Sequence, residues 1–218
     1  MAGWFKKKKK LSQEEEERLE NEWYDKKSLL MEKTLGEMHD IVMHAIIPYE
    51  IGGGLDLYYY PNGITGTGIA TKELTYACRD SSKNSVYDKY EMVMFTKHEL
   101  NPDDLENQDS PFSKAHSNIN AILNCIAAYS TQAKLNPNET CEFPEGMDAV
   151  GGKCLIFDKY ETAGTETNEE NFGLMLLIEV FRDEMEFAMQ NGGQKLLAML
   201  KERGIYPYSD LNRASVLE

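Results

Sequence analysis

Long apolar runs are missing from this 218-residue chain; the longest, at residues 174–178, is far too short to cross a bilayer. Cysteine is scarce and scattered: Cys78, Cys125, Cys141 and Cys154 form no C-x-x-C pair, and none falls at zinc-ligand spacing with a histidine. A secretory leader is not read either, because the lysine run at residues 6–10 leads into Glu14, Glu15, Glu16 and Glu17 rather than into an apolar segment. These lacks point to free thiols in a reducing, cytoplasmic setting. Basic residues are the minority, 23 against 37 acidic ones, for a net charge of −14. Such a surface repels nucleic acid and anionic membranes and draws in a basic partner. The plainer account of the same charge is solubility.

What is present suffices for a core, since 41% of the residues are apolar. Residues 1–11 are expected to form a basic, frayed head, and residues 12–47 a charged helical region opened by the Ser12/Glu15 capping box. Its apolar positions Leu19, Trp23, Leu30, Leu35, Met38, Val42 and Ala45 fall roughly on one stripe, with Gly36 as a break. Residues 48–218 form the main domain. Strands are expected over residues 55–60, 69–78, 90–96, 153–157 and 172–181, the last covered on both faces. Ser110-Pro111 starts the cleanest amphipathic helix. Asp183 with Glu186 is expected to cap a helix ending at Gly192, and a further helix ends at Gly204, with Met185, Met189, Leu196, Leu197 and Leu200 packed inward. The pattern is α+β: a largely antiparallel or mixed sheet flanked by helices.

Catalytic groupings are weak. The glycine clusters at residues 52–54 and 63–68 sit between strands and lack the GK[ST] ending of a phosphate loop. His39 and His44 are five apart and diverge around a helix, leaving Asp40 and His44 as a simple pair. Cys125 has no base tied to it. No metal or cofactor is therefore expected. Glu179 stands inside an apolar strand, at an edge or paired. In the run Tyr58-Tyr59-Tyr60 alternate rings face opposite sides, so one set is core and the other is open to lateral packing or to a partner.

A resemblance rests on Glu50-Ile-Gly-Gly-Gly-Leu-Asp56 with the tyrosine strand, on residues 63–73 and 90–98, and above all on residues 172–213. There Glu184-Met185, Ala188, Gly193, Leu196-Leu197 and Leu200 follow an E-M-x-x-A…G-x-x-x-L-L-x-x-L pattern. Over roughly residues 40–215 the chain resembles the suppressor-of-fused domain family, in its single-domain bacterial form. The resemblance implies an α/β domain without enzymatic activity that binds proteins. Animal members sequester a transcription factor, and several bacterial members act as immunity proteins against secreted toxins. The chain is short for the second domain that grips the transcription-factor peptide, so that partner is not carried over.

The expectation is a non-catalytic protein-binding domain, with an immunity protein that neutralises a basic toxin as its specific form. Asp56, Tyr58, Tyr60, Glu179, Asp183 and Glu186 are the candidate partner surface. Two other readings stay open: a hydrolase or transferase using clustered carboxylates, and a self-assembling module joined through the charged helix. The oligomeric state is not read from the sequence.

Overall fold

Seven strands, in the order β1-β2-β3-β4-β7-β6-β5, build one mixed sheet in a computed structural model that describes residues 11–165 and 168–218. They are β1 (Val42–Met43), β2 (Leu57–Tyr60), β3 (Thr67–Ala70), β4 (Lys89–Thr96), β5 (Thr140–Glu142), β6 (Cys154–Tyr160) and β7 (Phe172–Val180). Every neighbouring pair is antiparallel except β4 and β7, which run parallel with Met92 opposite Met175. The helices are α1 (Gln13–Leu35), α2 (Pro102–Glu106), α3 (Pro111–Ser130), α4 (Arg182–Asn191) and α5 (Gly193–Glu202). Apart from Leu11, the expected basic head lies outside the described residues.

Strand alternation sorts the apolar side chains onto two faces, and each face has its own cover. Tyr58, Tyr60, Val93, Phe95, Ile156, Leu174 and Leu176 pack against Trp23, Met31 and Leu35 of α1, Met185 of α4 and Leu196 and Leu200 of α5. Tyr59, Ile69, Met92, Met94, Leu155, Met175 and Leu177 pack against Phe112, Ile119, Ile122 and Ile126 of α3. Each fully buried Leu, Ile or Phe contributes about 1.5–3 kcal/mol. β7 pairs along both edges, as a continuously apolar strand should.

Four local expectations are corrected. Strand β3 stops at Ala70 rather than running to Cys78, because the groups that follow turn inward to a buried carboxylate. The first helix stops at Leu35, where Gly36 takes φ 86°, and Val42 belongs to a strand. Helix α4 begins after Phe181, and Glu184, rather than Asp183 with Glu186, accepts the N-terminal amide of Phe181 (3.0 Å). Met189 is 70% exposed on the outer face of α4, although Met185, Leu196, Leu197 and Leu200 do pack inward.

Candidate partner interface

In β4 the apolar run is interrupted by Glu91, which is fully buried. Its Oε1 accepts from Thr75 Oγ1 (2.8 Å), the Thr75 amide (3.1 Å) and Lys27 Nζ (3.1 Å), and its Oε2 accepts from Thr71 Oγ1 (2.6 Å). The Leu74 amide lies 3.2 Å from both oxygens. Lys27, 2% exposed, reaches in from α1 and also donates to the carbonyls of Lys72 and Thr75. A buried carboxylate persists only when paired and hydrogen-bonded, so the chain from Thr71 to Thr75 abandons strand geometry to supply those donors. The sequence reading missed this node. Its signal was a lysine on the buried stripe Trp23, Lys27, Met31, Leu35, and a glutamate inside a strand.

The loop drawn in by Glu91 forms one wall of a cleft of about 360 Å³. Tyr49, Glu73, Tyr76 and Ser82 line it, together with Ser130 at the end of α3, and Lys83 and Lys134 stand exposed at the rim. Glu73 Oε2 accepts from the Asp56 amide (2.9 Å), and among the described residues the carboxylate has no ion-pair partner. Burial pushes its carboxyl up to about 7; repulsion from Asp56, Glu91 and Glu50 adds to the rise, and the Asp56 amide opposes it. Helix α3 ends in this cleft with no basic residue in its last turn, so its carbonyl end adds partial negative charge. A half-buried carboxylate in a cleft lined by Tyr49 and Tyr76, at a helix C-terminus, suits a cation, and Arg79 already stands 4.2 Å over the Tyr76 ring.

A wider cleft of about 640 Å³ lies at the C-terminal ends of β4 and β7. Its charges neutralise one another: Lys153 with Glu179 at 3.0 Å, Lys97 with Asp210 at 3.4 Å and Lys114 with Asp109 at 3.5 Å. Among the described residues no group of three or more His, Cys, Asp or Glu is arranged to hold a metal, and the four cysteines are free. No helix among them is long and apolar enough to cross a membrane.

The residues chosen from sequence do not converge on one surface. Tyr58 and Tyr60 are both buried, at 7% and 1% exposure, so neither faces a partner; α1 covers their side of the sheet and α3 covers that of Tyr59. Glu179 is also buried, between Lys153 and the Asn118 amide (2.7 Å). Asp56 works inside its own loop: its Oδ2 lies 2.6 Å from His44 Nδ1, and its Oδ1 accepts the Ala45 amide (2.9 Å). His44 therefore pairs with Asp56 rather than Asp40. Asp183 and Glu186 are exposed on α4, where Asp183 accepts from Ser215 Oγ (2.7 Å).

The family model for Suppressor of fused protein matches residues 68–214, about two thirds of the chain. Among solved structures, a chain of the Sufu-Fu complex is 13% identical with a TM-score of 0.55, over 91% of this chain and 92% of that one. Drosophila Suppressor of Fused is 14% identical with a TM-score of 0.55, over 89% of this chain; the chain spans about half of that protein (50%). These two likenesses carry the fold, and among curated proteins no match was found by sequence. The match over residues 68–214 shows that the chain belongs to the Suppressor of fused protein family.

Proposed function

We propose that the chain is a non-catalytic, cytoplasmic protein-binding domain whose partner is a basic protein, in the manner of an immunity protein that neutralises a toxin. The observation that carries this is the cleft walled by Tyr49, Glu73 and Tyr76, in which the Glu73 carboxylate has no ion-pair partner among the described residues. A lysine or arginine of the partner protein supplies the cation, and the net charge of −14 speeds the encounter. Family membership supports a protein-binding role, and the Sufu-Fu complex is one in which a structural neighbour takes part.

The test is affinity capture with the full chain, followed by titration of each recovered protein. The expected partner is basic, and its affinity rises about tenfold from pH 6 to pH 8. Over that range a carboxyl titrating near 7 goes from about one-eleventh to ten-elevenths ionised. Recovery of no direct partner, together with turnover of a small molecule by the purified chain, overturns the proposal. That second reading, a carboxylate hydrolase or transferase, is favoured by the same Glu73, since a carboxyl near 7 suits a general acid. It requires Glu73→Gln to abolish turnover.

A further inference from the structure

Between β1 and β2 the chain forms a knuckle that exposes three isoleucines beside His44 and Glu50. Ile46 is 102% exposed, Ile51 75% and Ile47 56%. One exposed isoleucine is ordinary; three on a single short loop are a patch.

This loop is tightly built. The amides of Gly53 and Ile51 donate to the Pro48 carbonyl (3.0 and 3.2 Å), Gly52 to Tyr49 (3.0 Å), and Gly54 to Ile47 (3.0 Å). A Cβ on Gly53 would stand 1.8 Å from the Ile47 carbonyl oxygen, so only glycine lets the two arms meet. Asp56 staples the base through His44 and the Ala45 amide. Two bonds fix the knuckle to α3: Tyr49 hydroxyl to the Ala127 carbonyl (3.0 Å), and the Leu55 amide to Asn124 Oδ1 (2.8 Å). Apolar side chains held out on a rigid base lose little entropy on docking, as binding anchors require.

We infer that Ile46, Ile47 and Ile51 insert into an apolar socket of the partner protein, and that the rim of this socket is cationic. Charge complementarity selects that occupant. Between Lys33 and Lys72 the sequence holds no lysine or arginine, and the acids at the knuckle are Glu50, Asp56 and, at its base, Glu73, which accepts the Asp56 amide. Arg79 reaches the knuckle from outside this stretch and is already paired with Glu50 at 2.7 Å. A second copy of this acidic chain, or an anionic bilayer, meets like charge instead. The inference rests on the protein-binding reading and deepens it: Tyr49 sits in the knuckle and also walls the cation-accepting cleft, so one partner spans both.

The probe is a synthetic amphipathic helix with leucines on one face and flanking lysines, set against an analogue with glutamates in place of the lysines. Both are titrated into the full chain by fluorescence anisotropy at about 0.1 M salt. Binding of the lysine peptide is expected, at least about tenfold tighter than the glutamate analogue, with a loss of about tenfold or more in the Ile46→Ser/Ile47→Ser/Ile51→Ser variant. Equal binding by that variant, equal binding of the two peptides, or no binding of either overturns the inference. So does a wild-type dimer in sedimentation that the variant lacks, or attachment to zwitterionic vesicles that the variant loses. If Glu73→Gln abolishes binding and the isoleucine variant does not, the knuckle is refuted and the cleft stands. If the isoleucine variant alone loses binding, the cleft is refuted and the knuckle stands.

Discussion

Replacing Lys27 with methionine tests whether the buried ion pair organises the cleft wall. The substitution keeps the side chain's bulk beneath Thr75 but leaves Glu91, fully buried, without its cation. Breaking a buried pair by removing one partner costs about 3–5 kcal/mol. The lower end applies, because Glu91 keeps the donors of Thr71, Leu74 and Thr75, and the Thr75 carbonyl keeps Trp23 Nε1 at 3.2 Å. The Lys72 carbonyl loses its Lys27 donor, which adds about 1 kcal/mol. The expected loss is therefore about 3–4 kcal/mol. With a urea slope of about 3 kcal/mol/M, suited to a chain of this size, the midpoint falls by about 1 M. Adding Glu91→Gln to the methionine variant removes the stranded charge and should recover at least about 1 kcal/mol relative to additivity. A midpoint shift below about 0.3 M in the single variant would refute the reasoning, since the pair would then carry almost no stability.

Glu73→Gln is expected to change stability with a definite sign. A carboxyl raised in the folded state to about 7 stabilises the fold while protonated, and this contribution is lost as pH rises from about 4.5 through 7. The melting temperature of the variant relative to wild type should accordingly climb between pH 5 and pH 7.5 in calorimetry; no change with pH would contradict the assignment. Arg213→Ala strands Glu184, which is fully buried and held by the guanidinium at 2.6 and 2.7 Å, so about 3 kcal/mol should be lost. The segment after Asp210 should then become sensitive to limited proteolysis. Gly53→Ala drives a methyl against the Ile47 carbonyl, with a cost of about 1–3 kcal/mol in urea melts and shifted amide resonances across residues 46–54.

Local chemistry in the sequence sufficed wherever one segment decided the outcome. Ser12 with Glu15 and Ser110 with Pro111 mark two helix starts that the structure keeps, and β7 is the doubly covered strand its composition implies. Long-range pairings were not legible. Lys27 and Glu91 are 64 residues apart, so neither announces the other, although both break the apolar pattern of their element. The burial of Tyr58 and Tyr60 follows from α1 lying across that face, which strand alternation does not encode. Glu73 gains its character first from half-burial in the cleft beside α3, and then from Asp56, Glu91 and Glu50, brought together by the fold. The isoleucine knuckle, by contrast, stood in plain view within a segment read for its glycines.

Helix α1 lies outside the family-matched residues 68–214, and none of its side chains lines the cleft. Several of its polar contacts nevertheless hold the loop that forms the cleft wall. Lys27 holds the Lys72 and Thr75 carbonyls, Trp23 Nε1 donates to Thr75, and the Glu20 carboxylate accepts the amides of Ala77 (2.9 Å) and Cys78 (3.0 Å). The shape of a pocket lined by Tyr49 and by residues of the family segment is thus set in part by a helix that precedes both. Trp23→Phe with Glu20→Ala keeps an aromatic ring against Phe172 while cutting three of these attachments. Amide hydrogen exchange should then accelerate at Leu74, Thr75, Ala77 and Cys78 while the β6–β7 ladder stays protected. Affinity for a cationic partner should fall in step, because the wall that holds Glu73 in place has loosened. Unchanged exchange at those four amides would mean that the Lys27–Glu91 pair fixes the loop without help, and that Trp23 and Glu20 have no hold on the binding surface.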